Sequence, residues 1–335
     1  MNHRGMKRSN LVLIATPSTS QACGVRSGGM KRSNLSRIAA VALVLATVLL
    51  LGRPAPAAPP QRFSTPDAAV RALVVAARAN DQKALLVILG SDATDIVSSG
   101  DPVADANARA DFLKHVGERC DLVKASPTSF MLSVGSDRWP FAIPIVYDGK
   151  RWSFDTKVGR QELLNRRVGK NELATIDTLH MFVDAQREYY STNQPPAYAR
   201  YILSSPGKRD GLYWPVAAGQ APSPVGPTVA DALREGYKAV RGQAYHGYLY
   251  RILTAQGKNA SGGARSYEKD GRMSGGFAIV AWPVKYGVSG VMTFMVDPHG
   301  IVYQKNLGKS TGSLAKSITE FDPDTSWMPV PVVPY

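Results

Sequence analysis

Cysteine is nearly absent. The 335-residue chain has two, Cys23 and Cys120, which excludes a disulfide framework and the paired Cys spacings of a zinc site. Histidine is sparse: His115, His180, His246 and His299 are the only ones after residue 57, each isolated. There is no H-E-x-x-H and no G-x-x-x-x-G-K-[ST] run, and no serine nucleophile elbow is expected. A Ser/His/Asp site gathered from distant segments stays open, because triads are set in space and not by chain order. No apolar run reaches the roughly 18–20 residues that span a bilayer. Zinc-finger spacing, an Arg-rich helix and aromatic RNA-binding motifs are also missing, so no nucleic-acid partner is expected.

The start of the chain holds a repetition instead. G-M-K-R-S-N-L occurs at Gly5–Leu11 and again at Gly29–Leu35. The second copy leads into a basic stretch (Lys31, Arg32, Arg37), fourteen residues from Ile38 to Leu51 that are nearly all apolar, and then Ala55-Pro56-Ala57. This is the three-part layout of a secretory signal peptide. Residues 30–57 are expected to be that signal, cut before Ala58, with translation starting at Met30 and residues 1–29 a mis-called or duplicated leader. Contact with the membrane is then transient, and the product is periplasmic. The formal charge of +14 is mostly this leader: residues 1–57 hold eight basic and no acidic residues, leaving 32 basic against 26 acidic, net +6. Only Cys120 survives processing. A lone cysteine in R-C-D-L-V-K-A is expected to be a buried small side chain, not a nucleophile.

Beyond the leader the pattern falls into two blocks. In residues 63–168, Thr65-Pro66-Asp67 predicts a capped helix start with Ala69, Leu73, Ala76 and Ala77 on one face. Asp81 predicts a second helix, and Ala104–Val116 a third. The period then changes to two at Phe130, Leu132 and Val134, followed by two strands about Asp148-Gly149. In residues 169–330, Leu173, Ile176, Leu179, Val183 and Tyr190 predict a helix of about twenty residues. A Pro/Gly/Ser-rich excursion follows (Thr192–Thr228), then a short helix at Ala230–Ala239. Four strands close the block: Tyr245–Thr254, Gly276–Val284, Val291–Val296 and Ile301–Gln304, the last two joined by the turn Asp297-Pro298-His299-Gly300. Each block reads as α+β, helices on an antiparallel sheet. The blocks are expected to dock through Glu162–Leu173, burying Leu163, Leu164 and Leu173, with Arg166 and Arg167 bridging to acidic groups.

Candidate chemistry is thin. Asp322 and Asp324 have a calcium-like spacing but too few oxygens for a full shell, and a turn is expected there. The Gly-rich Ser261–Gly276 links two strands and reads as a mobile hairpin loop. No cofactor or metal is expected. The partner-facing candidates are Tyr213, Trp214 and Tyr248, with Arg166 and Arg167 at the junction; Tyr213 and Trp214 either plug the fold or meet a partner.

The blocks W-P-F-A-I-P-I-V-Y-D-G-K-R-W-S-F-D, F-V-D-A-Q-R-E-Y-Y, S-S-P-G-K-R-D-G-L-Y-W-P, Y-H-G-Y-L-Y-R-I-L-T-A-Q-G and G-G-F-A-I-V-A-W-P-V-K-Y-G-V-S-G-V-M-T-F-M-V-D-P-H-G together resemble the bacterial family called domain of unknown function 2950. That resemblance implies an exported protein of Gram-negative bacteria and no particular reaction. At fold level the first block resembles the cone-shaped nuclear-transport-factor-2-like class. The second resembles the globular part of type IV pilins, though without their hydrophobic helix start or prepilin cleavage site. A non-enzymatic binding or envelope-assembly module follows, its partner an envelope protein or a small ligand. The alternative is a periplasmic hydrolase or small-ligand protein using a cavity in the first block.

Overall fold

Thr65 does what its position predicts. In the computed structural model, which describes residues 57–331, its Oγ1 accepts from the Ala68 N–H at 3.1 Å and starts α1 (Pro66–Arg78). The leader and the start at Met30 lie outside the described residues, which begin at Ala57. Asp81 caps α2 (Gln82–Leu89) through the Ala84 N–H. A single turn, α3 (Thr94–Val97), precedes α4 (Pro102–Glu118). The last begins two residues before the expected Ala104, because Asp101 caps the Val103 and Ala104 amides and Pro102 suits the first helical position.

The first sheet is antiparallel. β1 (Cys120–Ser126), β2 (Ser129–Val134), β4 (Ile145–Tyr147) and β5 (Trp152–Phe154) lie in that order, with β3 (Trp139–Pro140) on β2. Leu132, Ile145 and Phe154 from the sheet meet Leu73, Ile88 and Leu89 from the helices in one apolar core. Cys120 corrects its expectation. It is exposed, because it opens an edge strand paired on one side only.

One helix then runs much further than its apolar pattern suggested. α5 spans Thr156–Thr192, 37 residues, about 55 Å at 1.5 Å per residue. Its front packs on the first core. Thr156 Oγ1 donates to Leu89 O at 2.6 Å, Arg160 pairs with Asp95 at 2.9 Å and Asp92 at 3.2 Å, and Gly159 lies flat against Ala142 and Ile143. Its rear buries Leu179, Phe182, Val183 and Tyr189 in a second core. Between these, the Glu172 carboxylate accepts the Val291 and Met292 amides at 2.8 and 2.9 Å. The boundary expected at 168/169 falls inside this helix, and residues 57–331 lie in one compact unit.

The expected docking residues divide. Leu164 is buried and Leu163 half-buried, but Leu173 is 66% exposed. The inward positions beside it are Asn171 and Thr175, and a step of two residues turns the helix by about 200°, so Leu173 faces outward. Arg166 pairs with Glu162 at 2.6 Å, one turn back on the same helix, and so bridges nothing between the blocks. Arg167 makes no acidic bridge but caps the neighbouring helix end, the other role its position suggests, donating to the Asp95 and Ile96 carbonyls of α3.

The excursion after α5 is structured. It holds a parallel pair, β6 (Tyr201–Leu203) and β7 (Gly211–Tyr213), and then α6 (Gly226–Arg234). α6 starts four residues earlier than the expected Ala230 and stops before Gly236, whose φ of +100° ends it. β8 (Tyr248–Leu253) follows, with the small hairpin β9 (Ala255–Gln256) and β10 (Arg265–Ser266). The Ser261–Gly276 loop is pinned by buried Tyr267 and Met273, so it is not the free hairpin loop expected. β11 (Ala278–Pro283), β12 (Thr293–Val296), β13 (Val302–Lys305) and β14 (Met328–Pro329) complete an antiparallel sheet in the order β14-β13-β12-β11-β8. All six residues of β11 are buried, because α5 covers one face and α7 (Thr311–Ser317) the other.

Candidate functional site

The site begins at a turn. Tyr245 and Tyr248 exchange both backbone hydrogen bonds, at 2.9 and 3.1 Å, around His246 and Gly247. Their φ values of +50° and +78° are those of a type I′ hairpin turn. A side chain at position 247 would put its Cβ 2.5 Å from Asn171 Nδ2, so glycine is required twice over. The turn lays the segment before it against the outer edge of β8.

A buried carboxylate from the first half holds that segment. Asp101, 1% exposed, accepts the two α4 amides on Oδ1; on Oδ2 it accepts the Tyr237 hydroxyl at 3.0 Å and the Gly247 amide at 2.9 Å. Burial, with Asp101 alongside, raises the Tyr237 phenol far above its ordinary value. Burial also holds the His246 imidazole below its ordinary value. Glu235 Oε2 lies 3.9 Å from its Nε2.

Above this lock lies a groove of about 520 Å³, within the roughly 300–1,000 Å³ range of small-ligand sites. Phe182 of α5 and Tyr250 and Ile252 of β8 line it, facing Leu203 of β6 and Val229 and Leu233 of α6. Leu233 and Val240, 47% and 58% exposed, stand at its mouth. None of its lining residues is Asp or Glu, whereas Arg200, Lys238, Arg241 and Arg251 are cationic. Arg200 is paired with Glu268, and Arg251 donates to the α7 carbonyls Ala315 and Lys316. Arg241 braces β6, donating to Leu203 O at 2.7 Å and lying over the Tyr201 ring at 4.0 Å. Neither Arg241 nor Lys238 forms an ion pair among the described residues. Burial raises the phenols of Tyr245 and Tyr250, and the Tyr250 hydroxyl donates to Thr175 Oγ1 at 3.3 Å. The groove lining holds no carboxylate and no imidazole.

The residues nominated from sequence do not assemble there. Tyr248 is fully buried, its hydroxyl donating to Met292 O at 2.9 Å, so it cannot face a partner. Trp214 is half-buried against Tyr189, with Arg209 stacked 5.3 Å from its ring centre, and Tyr213 is half-buried on β7. Arg166 lies over Trp139 and Arg167 caps α3, both on the first half. Asp324 holds the Ser326 amide at 2.9 Å, which is turn chemistry, whereas Asp322 accepts the amide of distant Asn259 at 2.7 Å and so ties two loops together. Among the described residues no cluster of three metal-ligating side chains occurs.

The elbow spacing does occur once, as Gly308-Lys309-Ser310-Thr311-Gly312 after β13. Ser310 has φ −90° and not the left-handed turn of a nucleophile elbow, and no histidine bonds to it among the described residues. The sequence signal that was passed over is Leu233, Tyr237, Val240 and Tyr245, apolar or aromatic residues spaced through a charged, Gly-containing run.

No curated protein and no solved structure matches the chain. The family model described as Protein of unknown function (DUF2950) matches residues 60–330, and the chain belongs to that family.

Proposed function

We propose that this is an exported, non-enzymatic binding module of the bacterial envelope and that the groove beside β8 is its binding site. The observation that carries the reading is an apolar groove lined by cations and by no carboxylate. Such a surface gains from covering apolar area and favours a ligand with negative charge. The signal-peptide layout of residues 30–57 supports export to the periplasm. The alternative, a hydrolase or small-ligand site inside the first core, has less support: Leu73, Leu132, Ile143, Ile145 and Phe154 fill that interior.

Anilinonaphthalene sulfonate, an apolar anion, tests the site. It is expected to bind at one site with enhanced fluorescence, and Leu233→Asp is expected to weaken it about tenfold without loss of fold, since Leu233 is exposed. Unchanged binding in that variant removes the groove from the proposal. For export, the intact mass of the envelope product is expected to give an N-terminus at Ala58; one upstream of Met30 overturns it.

A further inference from the structure

The outer edge of β8 is covered at both ends and open in the middle. The Val284 amide bonds to Gly247 O at 3.0 Å, which makes the Pro283–Tyr248 pair one without hydrogen bonds between its members. The alternation of an antiparallel ladder then follows. Leu249, Arg251 and Leu253 bond to β11, while Tyr248, Tyr250, Ile252 and Thr254 aim their N–H and C=O groups away from the sheet. At one end Tyr245 satisfies Tyr248, and at the other Thr254 O accepts the Tyr267 amide at 2.8 Å. Between them, no hydrogen bond among the described residues reaches the backbone of Tyr250 or Ile252. β6 pairs only with β7, and it comes within 8 Å of β8, so a strand added at this edge displaces β6 outward. Both open residues line the groove.

Two donors and two acceptors in alternation, facing an apolar space, are half of a β-ladder. Unpaired backbone groups in such a place are costly, and an uncovered edge is a template for another strand. An acyl chain leaves those groups unpaired. An extended peptide pairs all four while its side chains take up the apolar walls. The window runs between Tyr248 and Thr254, and subtracting the covered ends leaves about 13 Å, or roughly four residues of strand at 3.3 Å each. A segment that short between two covering chains suits a terminus better than a through-running loop. The charge then chooses which terminus: Lys238 and Arg241 lie at the groove without ion-pair partners, and no carboxylate lines it.

The geometry points to the carboxyl-terminal segment of a polypeptide as the groove's ligand, about four apolar residues added as a strand to β8 with the terminal carboxylate held by Lys238 and Arg241. This rests on the groove being the binding site.

Displacement of bound anilinonaphthalene sulfonate separates the two claims. The probe is a pool of hexapeptides, Gly-Gly followed by four positions of Val, Ile, Leu or Phe, with free carboxyl termini. The acids are expected to displace the dye, and the matching carboxamides to bind at least about tenfold more weakly. Peptides N-methylated at alternate residues are expected to fail, and amide exchange at Tyr250 and Ile252 to slow on binding. Lys238→Glu is expected to weaken the acids and leave the amides unchanged. Ile252→Pro removes one outward donor and no bond to β11. If it keeps its fold by circular dichroism, direct titration is expected to show the acids and the amides both lost; if it unfolds, the Lys238→Glu comparison decides. Displacement by decanoate but not by the peptides, or by acids, amides and N-methylated peptides alike, overturns the inference and leaves the binding site standing. Absence of dye binding overturns both.

Discussion

His246 and Gly247 carry two separate demands in adjacent positions, one of backbone and one of charge. Gly247→Ala forces a side chain into φ +78° and against Asn171, and the expected loss is about 2–3 kcal/mol by urea titration. His246 is already strained at φ +50°, and burial holds its imidazole below the ordinary 6.5. The unfolded chain therefore takes up its proton first as pH falls through 6.5, so stability is full above that value and declines below it. His246→Asn, which tolerates the same turn, is expected to flatten the stability profile between about pH 7 and pH 5. A variant profile as steep as that of the parent would assign the acid sensitivity elsewhere.

At the scale of elements, α5 shows what local pattern can and cannot reveal. α1 was legible because Thr65, Pro66 and Asp67 each prefer a helix start for an independent reason, and the β12–β13 turn because Pro298 and Gly300 fit it together. The front of α5 was not legible. Its residues Thr156–Lys170 lack a clean apolar stripe and contain Gly159 and Gly169, so they read as a junction between two blocks, and it is tertiary contact that holds them helical. The groove was hidden for a similar reason: its walls come from α5, β6, α6 and β8, and its open backbone edge has no signature in side-chain types. The two α5 glycines give opposite predictions. Gly169 has nothing within 4 Å of an added Cβ, so Gly169→Ala is expected to raise stability by about 0.5–1 kcal/mol. Gly159 would bring a Cβ to 2.6 Å from Ala142 O, so Gly159→Ala is expected to cost more than about 2 kcal/mol. A stabilising effect at 159, or a loss at 169, would contradict the unbroken packed helix.

For the whole molecule, the shared helix and the Asp101 lock predict one cooperative unfolding transition. Limited proteolysis is expected to leave Arg166–Lys170 intact and to cut first at Lys208–Arg209; early release of two stable halves would contradict it. The buried phenols add an alkaline limit. Tyr267 is pushed up to about 12 by burial, and Tyr237, Tyr248 and Tyr250 are raised further by burial. The unfolded chain loses these protons first, so stability is full below about pH 10 and falls as pH climbs towards 12. A Tyr267→Phe variant, which loses the bond to Gln256, is expected to show a shallower alkaline decline. The single long helix also fixes an order of events at the ribosome. α5 is complete well before Tyr248–Lys305, the strands that cover its rear, have been made. During that interval Leu179, Phe182, Val183 and Tyr189 stand uncovered on a rod whose front end already has its partners. The second core cannot close until nearly all of the chain exists, and on the export proposed above, that delay keeps the rear half threadable.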